Sequence, residues 1–161
     1  MSIIKVKDLG ILNGSTPAFY AYMSANQTVT NNVNTKAQVN TEVLDTDGCY
    51  DNSSNYRFTP TTAGKYVVYA GLVGGTDGYR IYTVRPKIYK NGSSIAETKS
   101  VIQDDTYHRV TETISTVVDM NGSSDYVELY GLVDIHANNT ELFIGASVHS
   151  TYFGAYRIIG A

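Results

Sequence analysis

From residue 17 onward the chain is a succession of short runs rich in β-branched and aromatic residues, separated by clusters of Asn, Asp, Gly and Ser. No long window carries the 3.6-residue apolar period of a helix. A chain patterned this way can bury its apolar side chains only by pairing strands. The pattern predicts strands near 17–25, 35–44, 56–59, 64–73, 79–90, 94–102, 107–119, 125–135, 140–149 and 151–159. Alternation is clearest from Val110 to Val117, which suits one buried and one wet face. Asn91-Gly92 and Asn121-Gly122 are tight-turn dipeptides, each between two strand-like runs. Composition agrees, with 14 Tyr against 4 Phe, no Trp, 14 Gly, 3 Pro and only 17% charged residues. With 161 residues the chain is one domain's length. We expect an all-β fold of about ten strands, a two-sheet sandwich or a barrel, with the jelly roll the leading form.

Several partners are excluded. A net charge of −3 offers no basic field for nucleic acid or anionic lipid. No apolar run reaches the length of a membrane span, so no membrane insertion is expected. Residues 1–12 hold Lys5 and Lys7 but no apolar stretch of signal-peptide length. Cys49 is alone and cannot form an internal disulfide. These features predict a soluble, non-secreted domain over residues 17–161, preceded by an extended arm over residues 1–16. The arm carries Ile3, Ile4, Val6, Leu9, Ile11 and Leu12, side chains suited to docking on a larger assembly.

Catalytic signatures are missing. There is no G-x-S-x-G, P-loop or G-x-G-x-x-G, and Cys49 has no His near it in sequence. His108, His136 and His149 fall on separate segments. We therefore expect no enzyme, no catalytic residue and no organic cofactor. The densest acidic cluster, residues 45–52, departs from a calcium loop: its Gly48 is fourth rather than sixth, and Tyr56 stands at position twelve. It reads as a solvated Asx-rich turn, with Asp45, Asp47 and Asp51 the candidate calcium ligands. Sequons at Asn13, Asn26, Asn52, Asn91, Asn121 and Asn138 read as chance in an Asn/Ser/Thr-rich chain. The Tyr surplus suits half-buried sheet faces and subunit contacts, or a surface facing a receptor or glycan.

Five pieces, in order, resemble the globular head domain of complement C1q, a trimeric jelly roll of the TNF-like superfamily. They are Pro17-Ala18-Phe19-x-Ala21; Tyr50-Asp51 with Tyr56-Arg57-Phe58-Thr59-Pro60 and Gly64-Lys65-Tyr66; Lys90-Asn91-Gly92; Asp125-Tyr126-Val127-Glu128-Leu129; and Thr151-Tyr152-Phe153-Gly154-Ala155-Tyr156-Arg157-Ile158. Asn55 replaces the family's usual Gly, and the closing piece lacks its Ser. The resemblance implies a ten-stranded jelly roll that assembles as a homotrimer with aromatic contacts around its axis. Its interface and family-motif residues are then Phe19, Tyr50, Phe58, Gly64, Tyr66, Tyr126, Leu129, Phe153, Gly154 and Tyr156. Gly64 would supply permissive backbone, and Gly154 close approach between strands.

The Asn/Thr/Tyr/Gly-rich, Lys-poor style with a short arm looks like C1q-type domains of tailed-phage virion proteins. We expect a homotrimer decorating a capsid or another virion surface, held through its arm to proteins such as the major capsid protein. The alternative is a trimeric recognition module for a host receptor or surface glycan, placed at a fibre tip or acting as a secreted ligand.

Overall fold

The computed structural model describes residues 16–76, 81–102, 107–135, 141–145 and 149–159, excepting the side chains of Glu141 and Leu142. The arm residues Ile3, Ile4, Val6, Leu9, Ile11 and Leu12, and His136, lie outside these. The described residues form thirteen strands and no helix, in two antiparallel sheets. The first sheet runs β2 (Gln27–Val29), β12 (Glu141–Phe143), β7 (Gly64–Thr76), β13 (Tyr152–Arg157), β1 (Ala18–Tyr22) and β4 (Thr41–Asp45), with β10 (Arg109–Met120) also paired to β7. The second runs β5 (Tyr50–Asp51), β6 (Arg57–Phe58), β11 (Val127–Ile135), β8 (Ile81–Lys90) and β9 (Ser93–Glu97), with β3 (Thr35–Lys36) paired to β11.

Thirteen strands replace the ten expected, for local reasons. The run 35–44 breaks into β3 and β4, while β2 and β5 are too short and polar to stand out as strand signals. The predicted strand 94–102 is regular only as β9. Beyond it the chain still follows β8, through Thr98 N–H to Pro86 carbonyl (3.2 Å) and Ile102 N–H to Tyr82 carbonyl (2.9 Å). Alternation over 110–118 holds: Ile114 and Val118 are buried while Thr113, Ser115 and Val117 are exposed.

The two Asn-Gly dipeptides act differently. Asn91 (φ 51°) and Gly92 (φ 81°) close the β8–β9 hairpin in the left-handed region that a tight turn needs. Asn121-Gly122 instead begins the crossing from β10 in the first sheet to β11 in the second. There the Asn121 side-chain carbonyl accepts the N–H groups of Ser123, Ser124 and Asp125 (2.9, 3.0 and 3.0 Å).

The core lies between the sheets and is built on aromatic rings. Phe19 stacks on Tyr50 (centroids 4.4 Å apart) and on Phe58 (4.6 Å), and meets Phe153 edge-on at 5.1 Å. Phe58 in turn meets Tyr66 edge-on at 5.7 Å. Both buried tyrosines place their hydroxyls: Tyr50 donates to the Val39 carbonyl and Tyr66 to the Thr62 carbonyl, each at 2.7 Å. Each ring comes from a different strand, so this cluster ties β1, β5, β6, β7 and β13 together across the sandwich.

Candidate functional site

Because side chains alternate along a strand, burying Phe19, Ala21, Tyr66, Val68, Ala70, Phe153, Ala155, Ile114 and Val118 turns their neighbours to the outer face of the first sheet. Strand register then fixes which outward residues meet. One row reads Thr41, Tyr22, Tyr152, Gly71, Thr113 across β4, β1, β13, β7 and β10. The next reads Leu44, Tyr20, Gly154, Tyr69, Ser115, and the third Ala18, Tyr156, Val67, Val117. None of these residues is charged. An ion pair, Lys65 with Asp119 at 2.6 Å, stands just beyond the third row.

Tyrosines and glycines interlock on this face. A Cβ on Gly71 would sit 2.4 Å from the Tyr152 ring, and one on Gly154 would sit 2.4 Å from the Tyr69 ring. Each glycine therefore leaves the hollow into which the opposite strand's ring lies down, an aromatic cover over exposed backbone. The close approach expected at Gly154 is thus met by a side chain rather than by a neighbouring backbone. Tyr20 and Tyr152 (5.8 Å), Tyr69 and Tyr152 (6.4 Å) and Tyr69 and Tyr156 (6.2 Å) form a continuous ring field. His149 extends it, stacked 4.2 Å from Tyr22, with Nδ1 3.3 Å from the Tyr20 hydroxyl. Burial, reinforced by neighbouring phenols, pushes the Tyr20 and Tyr69 hydroxyls above the ordinary phenol range, so both stay neutral at neutral pH. A shallow groove of about 450 Å³ runs beside Tyr69 and Tyr152, bordered by Thr98, Thr113 and Ser115.

The outer face of the second sheet has the opposite chemistry. Lys36 pairs with the buried Glu128 at 2.6 Å, and Lys87 with Glu97 at 2.8 Å. Arg57 lies 4.6 Å over the Tyr126 ring, and Tyr89 stacks on Tyr130 at 4.2 Å. Hydrogen bonding from Lys87 holds the Glu97 carboxyl below its ordinary value. Charges here are matched within the protomer, as they are on surfaces that face water.

The residues proposed from sequence divide between interior and surface. Phe19, Tyr50, Phe58, Tyr66, Leu129 and Phe153 are buried within a single protomer. They are the core that holds the sheets together, and no second copy can reach them. Tyr126 lies on the second sheet's side, and Gly64, at φ 145°, starts β7 against the Arg157 side chain. Only Tyr156 and Gly154 of that set belong to the tyrosine face. Tyr20, Tyr22, Tyr69, Tyr152, Val67 and Val117 complete it. The signal for them was their alternation with buried residues along the same strands.

In the acidic cluster, Asp51 Oδ1 accepts the N–H groups of Ser53 and Ser54 (3.1 and 2.9 Å), and its Oδ2 accepts from Asn55. These bonds hold its carboxyl well below the usual range. Asp45 accepts from Tyr50 N–H (2.8 Å) and Asp47 N–H (3.3 Å). Asp45 and Asp51 are thus turned onto their own loop backbone, as an Asx-rich turn requires. Among the described residues no group of three or more His, Cys, Asp or Glu side chains is placed to share an ion. Cys49 is buried, and burial pushes its thiol up.

Neither a family model nor a curated protein sequence matches the chain. Solved structures do. Murine APRIL superposes with a TM-score of 0.62 at 12% identity, covering 89% of this chain and all of that one. Eiger TNF from S. frugiperda gives 0.63 at 10% identity over 92% and 96% of the two chains. The globular domain of zebrafish complement 1qA gives 0.59 at 11% over 88% and 97%. The chain has the two-sheet jelly-roll fold of the TNF and C1q globular domains.

Proposed function

We propose that the chain is a non-enzymatic module that works as a homotrimer, assembled through the tyrosine face of the first sheet. The contrast between the two outer faces carries the reading. One presents three rows of uncharged, ring-rich, flattened surface; the other presents ion pairs already matched. Aromatic residues with charges displaced to the rim are the composition of an interface core. Threefold assembly is what the sequence resemblance implies, and a ring of three closes heterologous contacts without leaving a growing end. Within this reading the trimer decorates a phage capsid or another virion surface, and the apolar arm makes the attachment. The Asn/Thr/Tyr/Gly-rich style of the chain supports that setting.

Light scattering on the eluting protein tests the assembly: the expected mass is three times the 17.6 kDa chain. Val117→Asp combined with Tyr20→Asp places two carboxylates on the face and should return single-chain mass with the β-sheet circular dichroism intact. A monomeric wild type, or a doubly substituted protein that stays trimeric, refutes the reading. For the setting, protein lacking residues 2–15 should remain trimeric and lose binding to phage particles. Retained particle binding, or binding of the free trimer to host cells instead, overturns the virion role.

A further inference from the structure

We propose that His149 makes the tyrosine-face assembly acid-sensitive: the trimer closes on the neutral imidazole and opens when that ring takes a proton. The inference rests on the tyrosine face being the interface and names what regulates it. His149 lies on this face at its β1 side, stacked 4.2 Å from Tyr22 with the ring planes 24° apart, and 5.7 Å from the Tyr20 ring. Its backbone sits in the left-handed region, at φ 53°, which histidine accepts more readily than most residues. Imidazole is the side chain whose charge ordinarily changes between about pH 5 and 8.

Among the described residues no carboxylate is placed to pair with a charge here. From β1 the ring is met by Tyr20 and Tyr22, and on β13 Tyr152 lies 5.8 Å from Tyr20. On β4, Thr41 and Leu44 share the face. Glu42 is the register partner of the buried Ala21 and turns to the other side, where its charge acts on the Tyr50 hydroxyl. Asp45 is bonded to the N–H groups of Tyr50 and Asp47. Arg109 and Glu112 are on β10, three strands away from β1, and the Lys65–Asp119 pair stands beyond the third row. From Phe143 to Phe153 the sequence holds no Asp, Glu, Lys or Arg.

In a single protomer His149 is exposed, so water and the face of the Tyr22 ring both favour the imidazolium. The neutral ring can accept the Tyr20 hydroxyl at Nδ1 (3.3 Å). The protonated ring donates from both nitrogens, so that phenol must turn to accept. A second chain seated on the face removes the water, and the face itself supplies no counter-charge. The charged ring then loses its solvent and gains no partner, whereas the neutral ring loses little. Each chain therefore gives up its proton on assembly. Assembly is tightest above the imidazole range and weakens as pH falls through it. With three chains in the ring, the dissociation constant rises by as much as about a thousandfold per pH unit across that range.

Sedimentation velocity on the full chain tests this, in dilution series at about pH 8 and about pH 5 and at equal ionic strength. The trimer should hold at the higher pH and be weaker on the order of a thousandfold or more at the lower, with the β-sheet circular dichroism unchanged. His149→Asn keeps a residue that accepts left-handed backbone and cannot take the proton, so its trimer should be equally tight at both pH values. His108→Asn should respond as the wild type does. Diluting the wild-type trimer at about pH 6, in weak buffer with an indicator dye, counts the proton directly, and close to one per chain should be taken up. A wild-type trimer equally tight at both pH values, a response that survives in His149→Asn, or no proton uptake overturns this inference and leaves the tyrosine-face assembly standing. A wild type that is monomeric at about pH 8 overturns that assembly, and this inference with it.

Discussion

Replacing Thr151 by valine keeps the outline of a fully buried side chain and deletes one oxygen. That oxygen accepts the Val73 N–H at 3.1 Å and donates to the Ile144 carbonyl at 2.8 Å, joining β7 to the segment that follows β12. Valine leaves both groups unsatisfied in the interior. Each such loss costs about 1–3 kcal/mol, so the substitution should destabilise by roughly 2–6 kcal/mol. For a domain of this length each kcal/mol moves Tm by about 2–4 °C, so a fall of roughly 4–24 °C is expected. Thermal unfolding by far-ultraviolet circular dichroism measures it, with urea titration as an independent check on the free energy. Thr151→Ser keeps the oxygen and gives up one methyl group, about 0.8 kcal/mol of burial. The reasoning is refuted if the valine protein melts with the wild type, or if serine falls as far as valine.

Gly122→Ala should be among the most costly single changes. Gly122 has φ 72°, and a Cβ there would come 2.3 Å from the Ala63 backbone nitrogen, which cannot swing aside as a side chain would. A drop in urea midpoint larger than that of alanine at the open Gly48 checks it. At high pH the buried phenols should unfold the protein: burial pushes the Tyr66 hydroxyl from 10.0 up to about 12. Such a group holds its proton longer in the folded state, so its stability contribution is complete below pH 10 and is lost as pH rises from 10 toward 12. Tyr66→Phe should shallow that decline in a pH series of melting temperatures. Gly154→Ala forces the Tyr69 ring out of its hollow and should cost roughly 1–3 kcal/mol. Tyr69→Ala in the same chain should recover part of the loss, and a double-mutant cycle reads the coupling.

What the sequence made legible follows from how local each determinant is. Alternation from Val110 to Val117 showed β10 because one of its faces is dry, and Asn91-Gly92 showed its hairpin because the turn needs left-handed backbone. The motif aromatics showed the fold correctly, yet their role was hidden. Phe19, Tyr50, Phe58 and Phe153 meet only when β1, β5, β6 and β13 are brought together, so spacing alone could not separate core from interface. The tyrosine face was hidden for a related reason: Tyr20, Tyr69 and Tyr152 become neighbours through register, between segments far apart in the chain. Thr151 gives no sequence signal at all, because a buried threonine and a surface one look alike. The strands β2 and β5 were missed because two or three residues leave no period to detect.

The hollows beneath Tyr69 and Tyr152 also bear on how this surface can change over time. A larger residue at Gly154 or Gly71 is excluded while the opposite ring is in place. A smaller residue at Tyr69 or Tyr152 uncovers bare backbone while the glycine remains. Neither member of a pair can drift freely, but both can be exchanged together for two side chains of intermediate size. Sequence divergence on this sheet should therefore proceed in coupled steps between β7 and β13, and related chains should show their substitutions at these positions as matched pairs.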